Sequence, residues 1–101
     1  MLGLIGIRKN VDIKIRERLA ITLSRQSKAI KELNKVYEEV VIISTCNRTE
    51  IYLSGCLGSE DEIRRIFEIL DWDISLLEYT FYLGGADVAK HLLEVVLWFS
   101  F

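Results

Sequence analysis

Short apolar runs and alternating segments predict four β-strands along the chain. "LGLIGI" (2–7) is rich in Ile and Leu, and "VVIIS" (40–44) is a fully apolar, β-branched run. The second run predicts a central strand that is buried on both faces. "TEIYLS" (49–54) and "EYTFYL" (78–83) alternate with the period of two that is typical of strands.

Apolar residues at helical spacing predict helices between these strands. The predicted N-caps are Asp12 and Ser24 for two helices after the first strand, Ser59 for a third and Asp87 for a fourth, because each side chain can accept a first-turn N–H. Ser59 with Glu62 forms a capping box. The predicted apolar stripe of the third helix consists of Ile63, Ile66, Phe67 and Leu70.

The order of these elements is β-α-β-β-α-β followed by a further helix. That order predicts an α+β, ferredoxin-like fold, in which an antiparallel sheet carries helices on one face and a C-terminal helix is added. A length of 101 residues fits one domain over residues 1–101.

Composition excludes several classes of protein. Half of the residues are hydrophobic and 28% are charged, which does not fit a disordered chain. No apolar run reaches the roughly 18 residues that would span a bilayer, and "MLGLIGIRKN" has no basic segment before its apolar stretch. We therefore expect a cytoplasmic protein with no membrane partner.

Charge is divided unevenly along the chain. The net charge is −2, but residues 1–40 hold nine Lys/Arg against five Asp/Glu, while residues 41–101 hold four against ten. Lys28, Lys31 and Lys35 lie at helical spacing in the basic part. This stripe is either a surface for RNA phosphates or a solvated helix face.

The two cysteines are predicted to be free thiols. A strand between Cys46 and Cys56 would separate them by roughly 25 Å, whereas a disulfide needs α-carbons about 4.4–6.8 Å apart. Free thiols are typical of a reducing compartment. A C-x9-C spacing with a single histidine does not suit zinc, so we predict no metal site.

The segment Ser44-Thr45-Cys46-Asn47-Arg48 is the strongest candidate for chemistry. It lies between two predicted strands, so Cys46, Asn47 and Arg48 are expected at a tight turn. A cation two residues away favours a thiolate, and an amide can donate to a developing oxyanion. These residue types fit acyl transfer by a cysteine nucleophile. The alternative is that Cys46 is a small buried residue and Asn47 a turn former.

His91 is the only histidine in the chain. It lies at the edge of the apolar face of the last predicted helix, where a histidine is commonly a packing residue. An imidazole can also carry protons near neutral pH. The residues alone leave both roles open.

Three segments resemble one enzyme family. "STCNRTEIY" (44–52) resembles the cysteine-loop signature of glutamyl-tRNA reductase, an enzyme of tetrapyrrole (haem) biosynthesis. "GIRKNVDIKIRERLA" (6–20) resembles the family's opening strand and helix, and "GGADVAKHLLEVV" (84–96) the segment with its functional histidine. The resemblance covers nearly the whole chain and points to the N-terminal catalytic domain.

The resemblance implies a mechanism and a set of site residues. Cys46 would attack the ester of glutamyl-tRNA to form a glutamyl thioester, and NADPH would reduce this thioester to glutamate-1-semialdehyde. His91 is the second implied catalytic residue. The implied substrate-binding residues are Ser44, Thr45, Asn47 and Arg48. Arg16 and Glu50 also match family positions, without an assigned role.

The chain also departs from the family pattern. It reads "RKNVDI" (8–13) where the family has a His-Lys-Thr-Ala-Pro-like stretch, and it ends in the apolar "LWFSF" (97–101). We expect a truncated chain without the NADPH-binding and dimerisation domains, since it contains no G-x-G-x-x-G. The full-length enzyme would be a homodimer and would contact the downstream aminomutase, whereas this chain would only form and hydrolyse the thioester.

Two alternative functions stay open. The chain could be a non-catalytic relative that binds tRNA or protein and keeps the cysteine loop for structure. It could also be a general thiol hydrolase that does not recognise tRNA.

Overall fold

The computed structural model describes residues 1–99, with side chains described for residues 1–94. The predicted apolar ending at 97–101 therefore lies outside the described side chains. A 3₁₀ helix (Ile74–Tyr79) precedes the last strand. In chain order the elements are β1 (Leu2–Ile7), α1 (Ile13–Leu19), α2 (Leu23–Leu33), β2 (Val40–Ser44), β3 (Thr49–Ser54), α3 (Glu60–Leu70), β4 (Thr80–Gly84) and α4 (Ala86–Phe99).

The four strands form one antiparallel sheet in the order β2-β3-β1-β4. Ile51 of β3 lies opposite both Ile5 of β1 and Ile42 of β2. The order of elements and the antiparallel pairing confirm the predicted α+β, ferredoxin-like arrangement. The central strands are β3 and β1.

The prediction that β2 is a central strand is wrong. β2 lies at the edge of the sheet, and Val41 is 52% exposed on its outer face. Two strands are instead buried on both faces: β3, whose residues from Thr49 to Leu53 are all buried, and β1, whose residues from Gly3 to Gly6 are all buried. A run of four apolar residues is too short to show which strand has two neighbours, because strand order depends on contacts distant in sequence.

The main core lies between one face of the sheet and helices α2 and α3. Ile51 and Leu53 on β3 meet Leu33 from α2 and Phe67 from α3, and all four are almost fully buried. The predicted stripe of α3 is confirmed, since its four apolar residues are all buried. Burying each such side chain stabilises the fold by about 1.5–3 kcal/mol relative to exposure.

Helix α4 covers part of the opposite face. Val88 is buried against Leu4 of β1 and Tyr52 of β3, which form a second, smaller core. The added C-terminal helix therefore lies on the face of the sheet that α2 and α3 leave open. None of the helices within residues 1–99 is long and apolar enough to cross a bilayer.

Several predicted element ends shift in the structure. Asp12 and Ser59 cap α1 and α3 as predicted, but Thr22 rather than Ser24 caps α2. Asp87 lies inside the first turn of α4, because Gly85 takes the left-handed conformation and the helix begins at Ala86. β4 begins later than predicted, because Asp73 caps a 3₁₀ helix that takes up the preceding residues.

Candidate active site

The cysteine loop is a tight hairpin between β2 and β3. The Thr45 N–H donates to the Arg48 carbonyl at 2.6 Å, and the Arg48 N–H donates back to Thr45 at 3.4 Å. Only Cys46 and Asn47 lie beyond this pair. The predicted tight turn is confirmed, and Cys46 is exposed rather than packed in the core.

Side-chain hydrogen bonds hold the hairpin in place. Thr45 Oγ1 accepts from the Asn47 N–H at 3.3 Å, which stabilises the turn. Ser44 Oγ accepts from the Ile21 N–H at 3.0 Å and lies 3.2 Å from Thr49 Oγ1. Ser44 thus ties the hairpin to the segment between α1 and α2. It lies outside the residues that line the cleft described next, and its role toward substrate stays a prediction.

The hairpin forms one wall of a cleft of about 660 Å³. Five of the six predicted site residues line it, and His91 reaches it from α4 on the other side. These five are Thr45, Cys46, Asn47, Arg48 and His91. The fold therefore brings together a thiol and an imidazole that are 45 positions apart in the sequence.

The cleft also contains cations that the sequence analysis did not assign. Arg8, Lys9 and Arg16 line it together with Arg48, whereas Glu50 is the one carboxylate among its lining residues. Arg8 is held in place because its Nε donates to the Glu78 carbonyl at 3.1 Å. An excess of positive charge in a concave site favours an anionic ligand.

Glu50, like Arg16, lines the cleft and is a residue to which the sequence analysis gave no role. Its side chain is only 5% exposed, and it lies on β3 just beyond the hairpin. One carboxylate oxygen, Oε1, lies 3.5 Å from Arg48 Nε and accepts from the Tyr52 hydroxyl at 3.3 Å. The other, Oε2, lies 2.5 Å from His91 Nε2.

The surroundings of Glu50 set the protonation of its neighbour. Burial, together with the negative charge of Glu50, raises the pKa of Tyr52 to about 12. The Tyr52 hydroxyl therefore stays protonated at neutral pH and donates a hydrogen bond to the Glu50 carboxylate. The predicted help from Arg48 to a Cys46 thiolate stays a prediction.

The aromatic ring beside His91 belongs to Phe81, and it packs directly against the backbone of Gly6. The Phe81 ring lies over β1, so that a Cβ at Gly6 would come within 2.6 Å of it. The Phe81 and His91 rings are tilted by 56°, with centroids 6.0 Å apart. Gly6 thus leaves the space in which Phe81 supports the imidazole.

The second cysteine lies at the other end of β3 and is chemically different. Cys56 is fully buried, and burial followed by the charge of Glu62 raises the pKa of its thiol to about 11. Both cysteines are free, as predicted. Only Cys46 is placed where a substrate can reach it.

The sequence matches a known family and its members. A family model described as "Glutamyl-tRNAGlu reductase, N-terminal domain" matches residues 5–97. A glutamyl-tRNA reductase of Clostridium beijerinckii is 43% identical over 95 residues, which are 94% of this chain and 24% of the relative. One from Clostridium perfringens is 44% identical over 102 residues, covering 98% of this chain and 25% of the relative.

A third relative extends the comparison. The glutamyl-tRNA reductase of Clostridium kluyveri is 42% identical over 95 residues, which are 94% of this chain and 24% of the relative. The chain therefore spans about a quarter of the length of the curated relatives that it matches.

Proposed function

The chain belongs to the N-terminal domain family of glutamyl-tRNA reductases, and from this premise we propose that it supplies the acyl-acceptor site for the reduction of glutamyl-tRNA. Cys46 is the nucleophile and glutamyl-tRNA the substrate. The observation that carries this proposal is the exposed Cys46 thiol at a hairpin tip, in a cationic cleft that His91 also lines.

The proposed step is an acyl transfer. The Cys46 thiol gives up its proton, and the sulfur attacks the ester carbonyl carbon that joins glutamate to the tRNA. A carbon–sulfur bond forms, the carbon–oxygen bond to the terminal ribose breaks, and the ribose oxygen takes up a proton. His91 lines the same cleft and is the group that we propose moves this proton.

The neighbours of Cys46 hold the substrate. Arg48 binds a carboxylate of the glutamyl group, because a planar guanidinium fits a planar acid, and the Glu50 carboxylate at its Nε fixes its direction. Asn47 offers its side-chain amide as a donor to the carbonyl oxygen that becomes negative during attack, and Thr45 lines the same wall of the cleft while its hydroxyl holds the turn. Ser44 contributes by holding the hairpin.

Two basic surfaces are candidates for the RNA. Lys9 and Arg16 line the cleft where the 3′ end must enter, so we propose that they contact its phosphates. On α2, Lys28 and Lys31 are exposed, while Lys35 lies beyond the end of the helix and forms an ion pair with Glu32 at 3.0 Å. The α2 stripe is therefore the weaker candidate.

The reduction itself needs a hydride, which NADPH supplies when it is bound. The described residues do not match a dinucleotide site, because a Rossmann cradle is a parallel βαβ unit with a glycine-rich turn. Here both neighbours of β1 run antiparallel to it, and Arg8, Lys9 and Asn10 follow the strand. We propose that NADPH binds outside the residues that the structure describes.

Acid-stable trapping of the intermediate tests the proposal. The chain is mixed with radiolabelled glutamyl-tRNA without NADPH, quenched in acid, and assayed for label on the protein that hydroxylamine removes. We expect labelling in the wild type and in the Cys56→Ala control, and loss of labelling to background in Cys46→Ser. Equal labelling of Cys46→Ser would overturn the assignment of the nucleophile.

The same samples separate the alternative functions. Without a hydride donor the thioester is hydrolysed by water, so the chain should release glutamate from charged tRNA at a rate that depends on Cys46. An unchanged rate in Cys46→Ser together with tight tRNA binding would favour a non-catalytic binding module. Turnover of small activated esters with no preference for charged tRNA would favour a general thiol hydrolase.

A further inference from the structure

Glu50 lies where three elements of the site meet. Its buried carboxylate contacts Arg48 from the hairpin, Tyr52 from β3 and His91 from α4. A carboxylate that is taken out of water is costly unless it is paired and hydrogen-bonded. The contacts of both oxygens meet that requirement, so Glu50 is anchored and can in turn anchor its partners.

We infer that Glu50 is a positioning residue that fixes the tautomer and orientation of His91 and, through its other oxygen, the direction of Arg48. This inference rests on the proposed function, since it concerns how the same cleft is organised. It assigns Glu50 no direct contact with substrate.

The hydrogen-bonding capacity of a carboxylate determines the tautomer. An ionised carboxylate can only accept, so His91 Nε2, at 2.5 Å from Glu50 Oε2, must carry the proton of that bond. A neutral imidazole has one N–H, which leaves the lone pair on Nδ1. Nδ1 is therefore the nitrogen that takes and returns a proton in the cleft.

The other carboxylate oxygen of Glu50, Oε1, connects this side chain to Arg48 of the hairpin. Oε1 accepts from the Tyr52 hydroxyl and faces Arg48 Nε, so the carboxylate is held at a fixed angle between helix and loop. Moving Glu50 would displace the imidazole and the guanidinium together. A displacement of about 1 Å in a reacting constellation can cost about a hundredfold in rate.

The single histidine makes the tautomer directly measurable. His91 gives the only histidine ring signals of the chain, and the two imidazole nitrogens report protonation by their ¹⁵N chemical shifts. In the wild type at neutral to mildly alkaline pH we expect a protonated Nε2 and an unprotonated Nδ1. A protonated Nδ1, or a rapidly exchanging mixture, would overturn the inference without any variant.

The Glu50→Gln variant tests whether the Glu50 carboxylate fixes the tautomer of His91. The amide presents both a donor and an acceptor, so we expect the His91 tautomer preference to be lost. Thioester formation should fall by about tenfold to a hundredfold. Alkylation of Cys46 by iodoacetamide should stay within about twofold, because the thiol itself is untouched. A reduced rate with an unchanged tautomer would mean that Glu50 is merely structural and would overturn the inference.

Glu62→Gln is the matched control. It makes the same chemical change at a carboxylate that holds the loop of the other cysteine, outside the cleft. We expect its His91 signals and its rate of thioester formation to match the wild type at a temperature where both proteins are folded. Failure of the nucleophile assignment would instead show as labelling of Cys46→Ser, which is independent of the tautomer measurement.

Discussion

The two ends of β3 carry the same chemical group in opposite settings. At one end Cys46 stands exposed at a hairpin tip, and at the other Cys56 is fully buried. Each end is held by a carboxylate, Glu50 beside the first and Glu62 beside the second. The strand therefore offers an internal comparison between a thiol presented to solvent and a thiol enclosed in the fold.

The partners of the two carboxylates explain the difference. Glu62 accepts from the backbone N–H groups of Leu57 and Gly58 and from the Tyr37 hydroxyl, so it closes a loop with neutral donors. Glu50 instead faces Arg48 and His91, groups with chemistry of their own. The two thiols should therefore differ in reactivity, because the loop of Cys46 leaves its thiol exposed to solvent and the loop of Cys56 encloses it.

The largest expected contrast is in alkylation. With a pKa of about 11, Cys56 has only about one thiolate in a thousand at pH 8, and it is also buried. We expect iodoacetamide to modify Cys46 at least about a hundredfold faster than Cys56 in the folded chain. Peptide mass spectrometry over time measures both rates. In urea the two should converge, and equal rates in the folded chain would contradict the comparison.

The loop around Cys56 should be intolerant of a side chain at Gly58. This residue has a φ of +78°, and an added Cβ would come within 2.4 Å of the Tyr82 ring. We expect Gly58→Ala to lower the free energy of unfolding by about 2–4 kcal/mol, through strain and the clash together. Urea titration measures the loss.

Gly55→Ala is the control for backbone strain. Gly55 has the same φ of +78°, but a Cβ there would meet nothing within 4 Å. We expect it to cost only about 1 kcal/mol. Equal losses in the two variants would show that Tyr82 does not restrict the loop.

The smallest expected effect is a loss of the free energy of unfolding as the pH falls into the acid range. Burial alone would raise the pKa of Glu62, but hydrogen bonds from Tyr37, Gly58 and Leu57 outweigh it and hold this pKa below its usual range. The Glu62 carboxylate therefore binds a proton more readily in the unfolded chain than in the folded chain. The contribution of Glu62 is present above its unfolded pKa of about 4.3 and is lost as pH falls through the folded value.

Two variants isolate that contribution. Glu62→Gln should unfold with a weaker dependence on acid between pH 7 and pH 3 than the wild type. Tyr37→Phe removes one donor and should cost about 1–2 kcal/mol at neutral pH. Urea unfolding at several pH values measures both, and an unaltered acid dependence in Glu62→Gln would contradict the assigned hydrogen bonds.

Local patterns predicted the parts of the fold that depend on neighbouring residues. The stripe of α3, the hairpin at Cys46 and the caps at Asp12 and Ser59 follow from spacing and side-chain chemistry, and all are confirmed. The cap at Ser24 failed because Thr22, two residues earlier, offers the same hydroxyl.

Strand order was beyond the reach of those patterns. The alternation along residues 49–54 places Glu50 and Tyr52 on one face of the strand, but it cannot show whether another element covers that face. In the structure β3 is central and both are buried. A charged residue on a central strand must find partners, and that signal would have identified Glu50 had the strand order been known.

The Ser44 hydroxyl has a mechanical consequence for the hairpin. It accepts from the Ile21 N–H and so ties the end of β2 to the segment between α1 and α2, and backbone pairing continues to Thr45 and Arg48. Only Cys46 and Asn47 lie beyond the last paired residues of the hairpin. Under the proposed function, an incoming ester meets a thiol on a turn whose flanking residues are already hydrogen-bonded, so little ordering entropy is lost on encounter.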